Sequence, residues 1–387
     1  MNDRFIPLSV PNFKGNELLY VTNAVSSEWV STGGPYVSEF ENKIAKYVGA
    51  KGAVACQSGT AGIHTALLVA GINNEDMVIV PTLTFIAAVN PVKYVGAEPV
   101  FMDCDDSLCM DSEKLRKYCE EECNFVDNKL IDKKTGKHIK AVIIVHIFGN
   151  MADMESIINI ANKYNICVIE DATEALGTYY TEGRYKGKFA GTIGDIGVYS
   201  FNGNKIITTG GGGMIVSNKQ EYITHAKHLT TQAKSDELYY THDEVGYNYR
   251  MTNLQAAVGI AQLEQLESFI SVKEKNYNRY MNAIEDISGI SLLGFKSGIR
   301  SNKWFYSLVL DGYKMNRNDL IDYFAKNKIQ TRPIWGLISK QKPYENCREY
   351  EISNAYNYWN KIINIPCSTN LTEEEIDIVL NVLTGSI

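Results

Sequence analysis

Seven short runs of apolar, largely β-branched residues lie between Gly52 and Asn218, separated by stretches with helical spacing. They are GAVACQ from Gly52, MVIVPTLT from Met77, EPVFMDC from Glu98, AVIIVHIFG from Ala141, ICVIEDAT from Ile166, IGVYSF from Ile196 and GMIVSN from Gly213. A run that is apolar at nearly every residue, rather than every second one, is a strand buried on both faces. Strands of that kind belong to a mostly parallel sheet with helices packed on each side. AGIHTALLVAG from Ala61 and DMESIINIANKYN from Asp153 are helix candidates in the gaps. Only a glycine-rich loop joins the last two runs. It is too short for a parallel crossover and predicts an antiparallel pair. Residues 126–140 read as an inserted polar turn or hairpin, with K-T-G-K supplying the turn.

After about residue 250 the pattern changes. One long helix is expected from Asn253, through NLQAAVGIAQLEQLESFISVKEKNYNRYMNAI, with charged and apolar residues at helical spacing. Shorter strands and helices follow. At 387 residues the chain is long enough for two cores. The expected division is a large α/β domain over 1–250 and a smaller α+β domain over 251–387. The N-terminal segment, 1–14, is free to pack on the smaller one.

The formal net charge of −7 argues against a nucleic-acid surface, where a basic patch would be needed. The eight cysteines are scattered, with no C-x-x-C pair and no His-flanked spacing, so reduced thiols are expected and a metal site is not. The N-terminus MNDRFIPLSV lacks a signal pattern, and no apolar run reaches the roughly 20 residues of a membrane span. A cytoplasmic location is the resulting expectation.

Four segments carry candidate chemistry. In SFNGNKIITTGGGGMIV, from Ser200, Lys205 sits in a polar turn between two strands. Burial lowers an amine's pKa and makes it a nucleophile toward an aldehyde, so Lys205 is a candidate Schiff-base lysine; a solvated loop lysine is the alternative. In VIEDATEALG, Asp171 falls at a strand end, where ligands of α/β sheets gather. It suits the protonated pyridine nitrogen of pyridoxal phosphate (PLP), or else a helix N-cap. In CQSGTAGIHTAL, Ser58, Gly59 and Thr60 open a helix, a natural phosphate site, or a plain capped helix. In PTLTFIAAVN, Phe85 could stack on a cofactor ring or simply pack in the core.

Taken together, a phosphate cradle, ring platform, aspartate and lysine at successive strand ends resemble the DegT-type nucleotide-sugar aminotransferases of PLP fold type I. The resemblance runs from WVSTGG near Trp29 to TRPIW near Thr331, and GDIGVYSFNGNKIITTGGGG is its most diagnostic stretch. It implies a mostly parallel seven-stranded sheet sandwiched by helices, and PLP as cofactor. Lys205 resembles the Schiff-base lysine and proton-shifting acid/base, and Asp171 the pyridine-nitrogen partner. Phe85 looks like the stacking ring. Gly59, Thr60 and Ser200 match the phosphate donors. Asn248, in GYNYRM, resembles a residue reaching the phosphate of a neighbouring subunit, which implies a homodimer with shared sites. Ser31, Thr32 and Gly33, with Arg332 and Trp335, sit where the family contacts the nucleotide sugar; domain packing is the alternative for the last two.

Asn202 and Glu174 stand where many relatives have His and Gln. A carboxylate beside the cofactor's phenolic oxygen would repel it unless a proton is shared. Glu174 is therefore expected to hold a proton and shift the Schiff-base pKa. Within the family the chain looks most like the LegC-like enzymes of legionaminic acid and bacillosamine synthesis. That implies amino transfer from glutamate to C4 of a UDP-4-keto-6-deoxy-N-acetylhexosamine. A PLP sugar dehydratase, a non-catalytic regulatory member and an aminotransferase of simple amino acids share the scaffold. Lysine at position 205 disfavours the dehydratase, whose related members carry His there.

Overall fold

The computed structural model describes residues 4–236 and 238–384. All seven apolar runs are strands: β1 (Gly52–Cys56), β2 (Asp76–Pro81), β3 (Glu98–Met102), β4 (His138–Val145), β5 (Cys167–Asp171), β6 (Ile196–Ser200) and β7 (Gly213–Ser217). Their spatial order is β1-β7-β6-β5-β4-β2-β3. β7 runs antiparallel to both neighbours, as the short glycine loop requires, and the other pairs are parallel. The carboxyl ends of β1, β2, β4, β5 and β6 therefore lie along one edge of the sheet, together with the start of β7.

The sheet is larger than seven strands. A hairpin, Cys123–Val126 and Lys129–Asp132, adds to the side of β4, and a short strand, β8 (Arg348–Tyr350), adds in parallel to β3, making ten. The hairpin turns at Asp127 and Asn128, with φ of 50° and 59°, the left-handed pair that a tight two-residue turn requires. K-T-G-K forms a second turn beyond it, where Asp132 Oδ1 accepts from the N–H groups of Lys134 and Thr135. β4 consequently starts at His138, three residues before the apolar run begins.

The flanking helices form where their caps are. Helix Gly59–Val69 begins at Ser58, whose side chain accepts from Ala61 N, and is buried along most of its length. Helix Met154–Tyr164 begins at Asp153, which accepts from Ser156 N, and ends at Asn165 in the left-handed region.

The long helix from Asn253 is two helices, Asn253–Leu263 and Leu266–Ile284. Gln265 N bonds the carbonyl of Gln262, a tight three-residue closure that ends the first helix. Periodicity could not show this break, because the residues at it are held from outside. Gln262 and Gln265 both donate to Glu17, and Gln262 also to the carbonyl of Asn12.

Beyond it lies a four-stranded antiparallel sheet, Ile290–Leu292, Tyr306–Leu310, Ile362–Ile365 and Arg332–Pro333 in spatial order. The N-terminal segment is tied to this part of the chain. Ile6 exchanges backbone bonds with Lys328 and Gln330, and Cys367 N donates to the carbonyl of Leu8. All eight cysteines are free thiols. Among the described residues no helix is long and apolar enough to cross a membrane.

Candidate active site

The carboxyl edge of the sheet opens into a cavity of about 310 Å³. Lys205 enters it from a loop that closes on itself. Phe201 N donates to Gly212 O, Thr209 N to Phe201 O, and Lys205 N to Asn202 O. Thr208 Oγ1 also bonds the Phe201 carbonyl. The lysine side chain is 12% exposed; its Nζ lies 4.0 Å from Glu174 Oε1 and 4.0 Å from the centre of the Trp304 ring. Burial pushes its amine below the usual lysine range, against the opposing pull of Glu174 and Asp171.

Two carboxyl groups stand at the end of β5, one on its last residue and one just beyond it. Asp171 is buried at the strand end, its Oδ1 accepting from Thr173 N. Burial raises its pKa, against hydrogen bonds from Thr173 and the pull of Lys205, so a cation beside it would favour its charged form. Glu174, three residues on, accepts at Oε2 from the N–H of Phe148 at 2.8 Å. Phe148 adopts a left-handed backbone, φ 55°, and this turn points its N–H at the carboxyl. Burial pushes Glu174 up to about 7, with Lys205 pulling the other way.

The helix that starts at Gly59 brings its first N–H groups to the same cavity. The approach is close. A Cβ on Gly59 would meet Thr173 Cγ2 at 2.9 Å and Ser200 Cβ at 3.1 Å. Only glycine leaves room there for a bulky anion beside the backbone. Phe85, 52% exposed, caps a short 3₁₀ turn on the cavity wall, 6.2 Å from Trp335 ring to ring.

Of the residues singled out from the sequence, Ser58, Gly59, Thr60, Phe85, Asp171, Glu174, Ser200, Asn202, Lys205 and Trp335 line this cavity. Asn248, Ser31, Thr32, Gly33 and Arg332 do not. Asn248 bridges Thr231 through its backbone and is exposed, at the base of a ribbon made by Lys234–Asp236 and Thr241–His242. Ser31 lends its carbonyl to Asn253 N, and Arg332 is exposed on the smaller sheet.

Sequence reasoning passed over His146 and Trp304. His146 follows β4, is fully buried, and bonds Glu170 at 2.8 Å; its backbone N–H pairs with the Asp171 carbonyl. A polar residue directly after a buried strand was the available signal. Trp304 had none, since it arrives from about a hundred positions further along. Its Nε1 donates to Asn204 O at 2.7 Å, next door to Lys205.

These groups suit PLP on structural grounds. A buried carboxyl whose charge a cation would stabilise suits a protonated ring nitrogen, the glycine-opened helix start would suit a phosphate, and the buried amine would suit an aldehyde. Fold and site together define a fold type I, PLP-dependent aminotransferase. The chain belongs to the DegT/DnrJ/EryC1/StrS aminotransferase family, whose model matches residues 11–384. It is 37% identical to EpsN of Bacillus subtilis (strain 168), over 98% of this chain and 95% of that protein. It is 36% identical to GDP-perosamine synthase of Escherichia coli O157:H7, over 96% of each. A solved DegT DnrJ EryC1 StrS aminotransferase from Brucella abortus has a TM-score of 0.86 and 26% identity, covering 96% of this chain and 95% of that one.

Proposed function

We propose that this aminotransferase moves the amino group of glutamate onto C4 of a nucleotide-linked 4-keto-6-deoxy sugar. The acceptor expected from the sequence is a UDP-4-keto-6-deoxy-N-acetylhexosamine, in surface-sugar synthesis of the legionaminic acid or bacillosamine type. The observation that carries the reading is the placement of the Lys205 amine in a cavity that also holds Asp171 and the Gly59 helix start. Similarity to GDP-perosamine synthase favours a second reading in which the nucleotide is GDP.

When bound, PLP supplies an aldehyde for carbon–nitrogen bond formation and a ring that takes up electrons. The protein residues do the rest. Backbone N–H groups at Gly59 and Thr60, with the Ser58 and Ser200 hydroxyls, would hold the phosphate. Asp171 would keep a proton on the ring nitrogen, and Phe85 would cover one ring face. Lys205 Nζ would take the proton from the donor α-carbon in one half of the cycle and return a proton in the other. The aromatic side chains of Trp304, Phe305 and Trp335 line the same cavity and would keep water from the reacting atoms.

The reading also expects two copies of the chain to share their sites. The exposed side chains Leu238, Tyr239 and Tyr240, at the tip of the ribbon whose base holds Asn248, support a second copy covering that face.

Incubation with glutamate and either UDP- or GDP-linked 4-keto-6-deoxy sugars, followed by mass spectrometry, tests the proposal. It predicts conversion of keto to amino sugar with one nucleotide strongly preferred. Amino transfer to simple keto acids alone would contradict it.

A further inference from the structure

The sequence places Glu174 near the cofactor's phenolic oxygen as an expectation; in the structure the carboxyl also lies beside Lys205. Oε1 of Glu174 faces Lys205 Nζ at 4.0 Å, while Oε2 is fixed by the Phe148 N–H at 2.8 Å. The Trp304 ring centre lies 4.0 Å from the same Nζ. The carboxyl is 3% exposed and the lysine 12%. The cavity lining contains three titratable side chains among the described residues: Lys205, Glu174 and Asp171. His146 stands behind Asp171 and is paired with Glu170. Lys205 therefore has two carboxyl groups for company, and one of them, Asp171, is committed to the ring nitrogen in the reading above.

We propose that Glu174 is the proton partner of Lys205. The proton that leaves Lys205 when the amine is discharged passes to Glu174 and stays in the cavity, once the 4.0 Å gap between Nζ and Oε1 closes to hydrogen-bond length. Discharge breaks an N–H bond and forms an O–H bond, with no change in net charge and no proton lost to solvent. Recharging runs in reverse. At rest the pair is a carboxylate facing an ammonium, whose attraction offsets part of the desolvation of each in this low-dielectric site. Glu174 acts through Lys205 and is a positioning residue. The inference rests on the role given to Lys205 above.

The sign of the effect is fixed by electrostatics. A carboxylate beside an ammonium raises the amine's pKa, so its removal lowers it. The test is the rate of covalent PLP capture by the cofactor-stripped full chain across pH, with borohydride trapping and peptide mass analysis at Lys205. Glu174→Gln is expected to move the acid-side midpoint of capture down by about one pH unit or more. Glu174→Asp, which keeps the charge, is expected to stay near the wild-type midpoint.

A reciprocal measurement needs neither variant. In protein carrying carboxyl-labelled glutamate, the infrared band of the protonated Glu174 carboxyl should persist to higher pH in Lys205→Met than in wild type. An unmoved capture midpoint in Glu174→Gln, or an unmoved band in Lys205→Met, overturns the pairing. No capture at Lys205 at any pH in the wild type would instead sink the lysine's own role, so the two failures are distinguishable.

Discussion

At position 205 an amine sits 4.0 Å from a carboxyl oxygen and under an indole ring, and nearly all of the side chain is out of water. The lysine and Asp171 were legible in the sequence because each stands where a buried run ends. The neighbours that tune the lysine were not. Trp304 and Phe148 come from distant loops, and nothing local in their own segments points toward position 205. Asp171 yields a prediction at this scale. Its burial raises its pKa, so the charged form is disfavoured and a cation beside it would stabilise it. Asp171→Asn keeps the shape and removes that charge. Turnover is expected to fall by about a hundredfold or more, as when one preorganised electrostatic partner is lost, with the melting temperature little changed. Steady-state kinetics beside a thermal melt checks this; near-wild-type turnover would count against the role of Asp171.

At the level of elements, the seven strands were readable because burial on both faces leaves an unbroken apolar pattern. Elements held by partners far along the chain were not. β8 is three residues long and pairs with β3 from some 250 positions away. The helix break near Gln265 depends on Glu17. The hairpin at Cys123–Asp132 was visible as a polar insertion, yet its turn is at Asp127–Asn128, with K-T-G-K forming the next one. The meeting of β7 with the Gly59 helix is a junction that a single change would disturb. A Cβ on Gly213 would lie 2.5 Å from the Ser58 carbonyl oxygen and 2.8 Å from Gly59 N, both backbone atoms that cannot swing away. Gly213→Ala is expected to cost about 1–3 kcal/mol of stability by overpacking and to weaken PLP retention as well. Thermal denaturation and a PLP titration together measure this. Unchanged PLP retention would mean that the helix start does not hold the phosphate.

Over the whole molecule, the site is a product of topology. β1, β2, β5 and β6 bring Ser58 to Thr60, Phe85, Asp171 and Ser200 to one edge because all four run the same way. β7 reverses direction, so the loop carrying Lys205 lies at that edge too. The chain beyond residue 250 completes the cavity with Trp304, Phe305 and Trp335. Asn248, expected to reach a neighbouring subunit, and Ser31 to Gly33, expected against the nucleotide sugar, lie outside the cavity of a single chain. The account as a whole depends on this convergence selecting one lysine from all those in the chain. Borohydride reduction of the PLP-loaded full-length protein, followed by peptide mapping of every lysine, tests that choice. The label is predicted on Lys205 and on no other lysine; an unmodified Lys205 peptide from cofactor-loaded protein would contradict it.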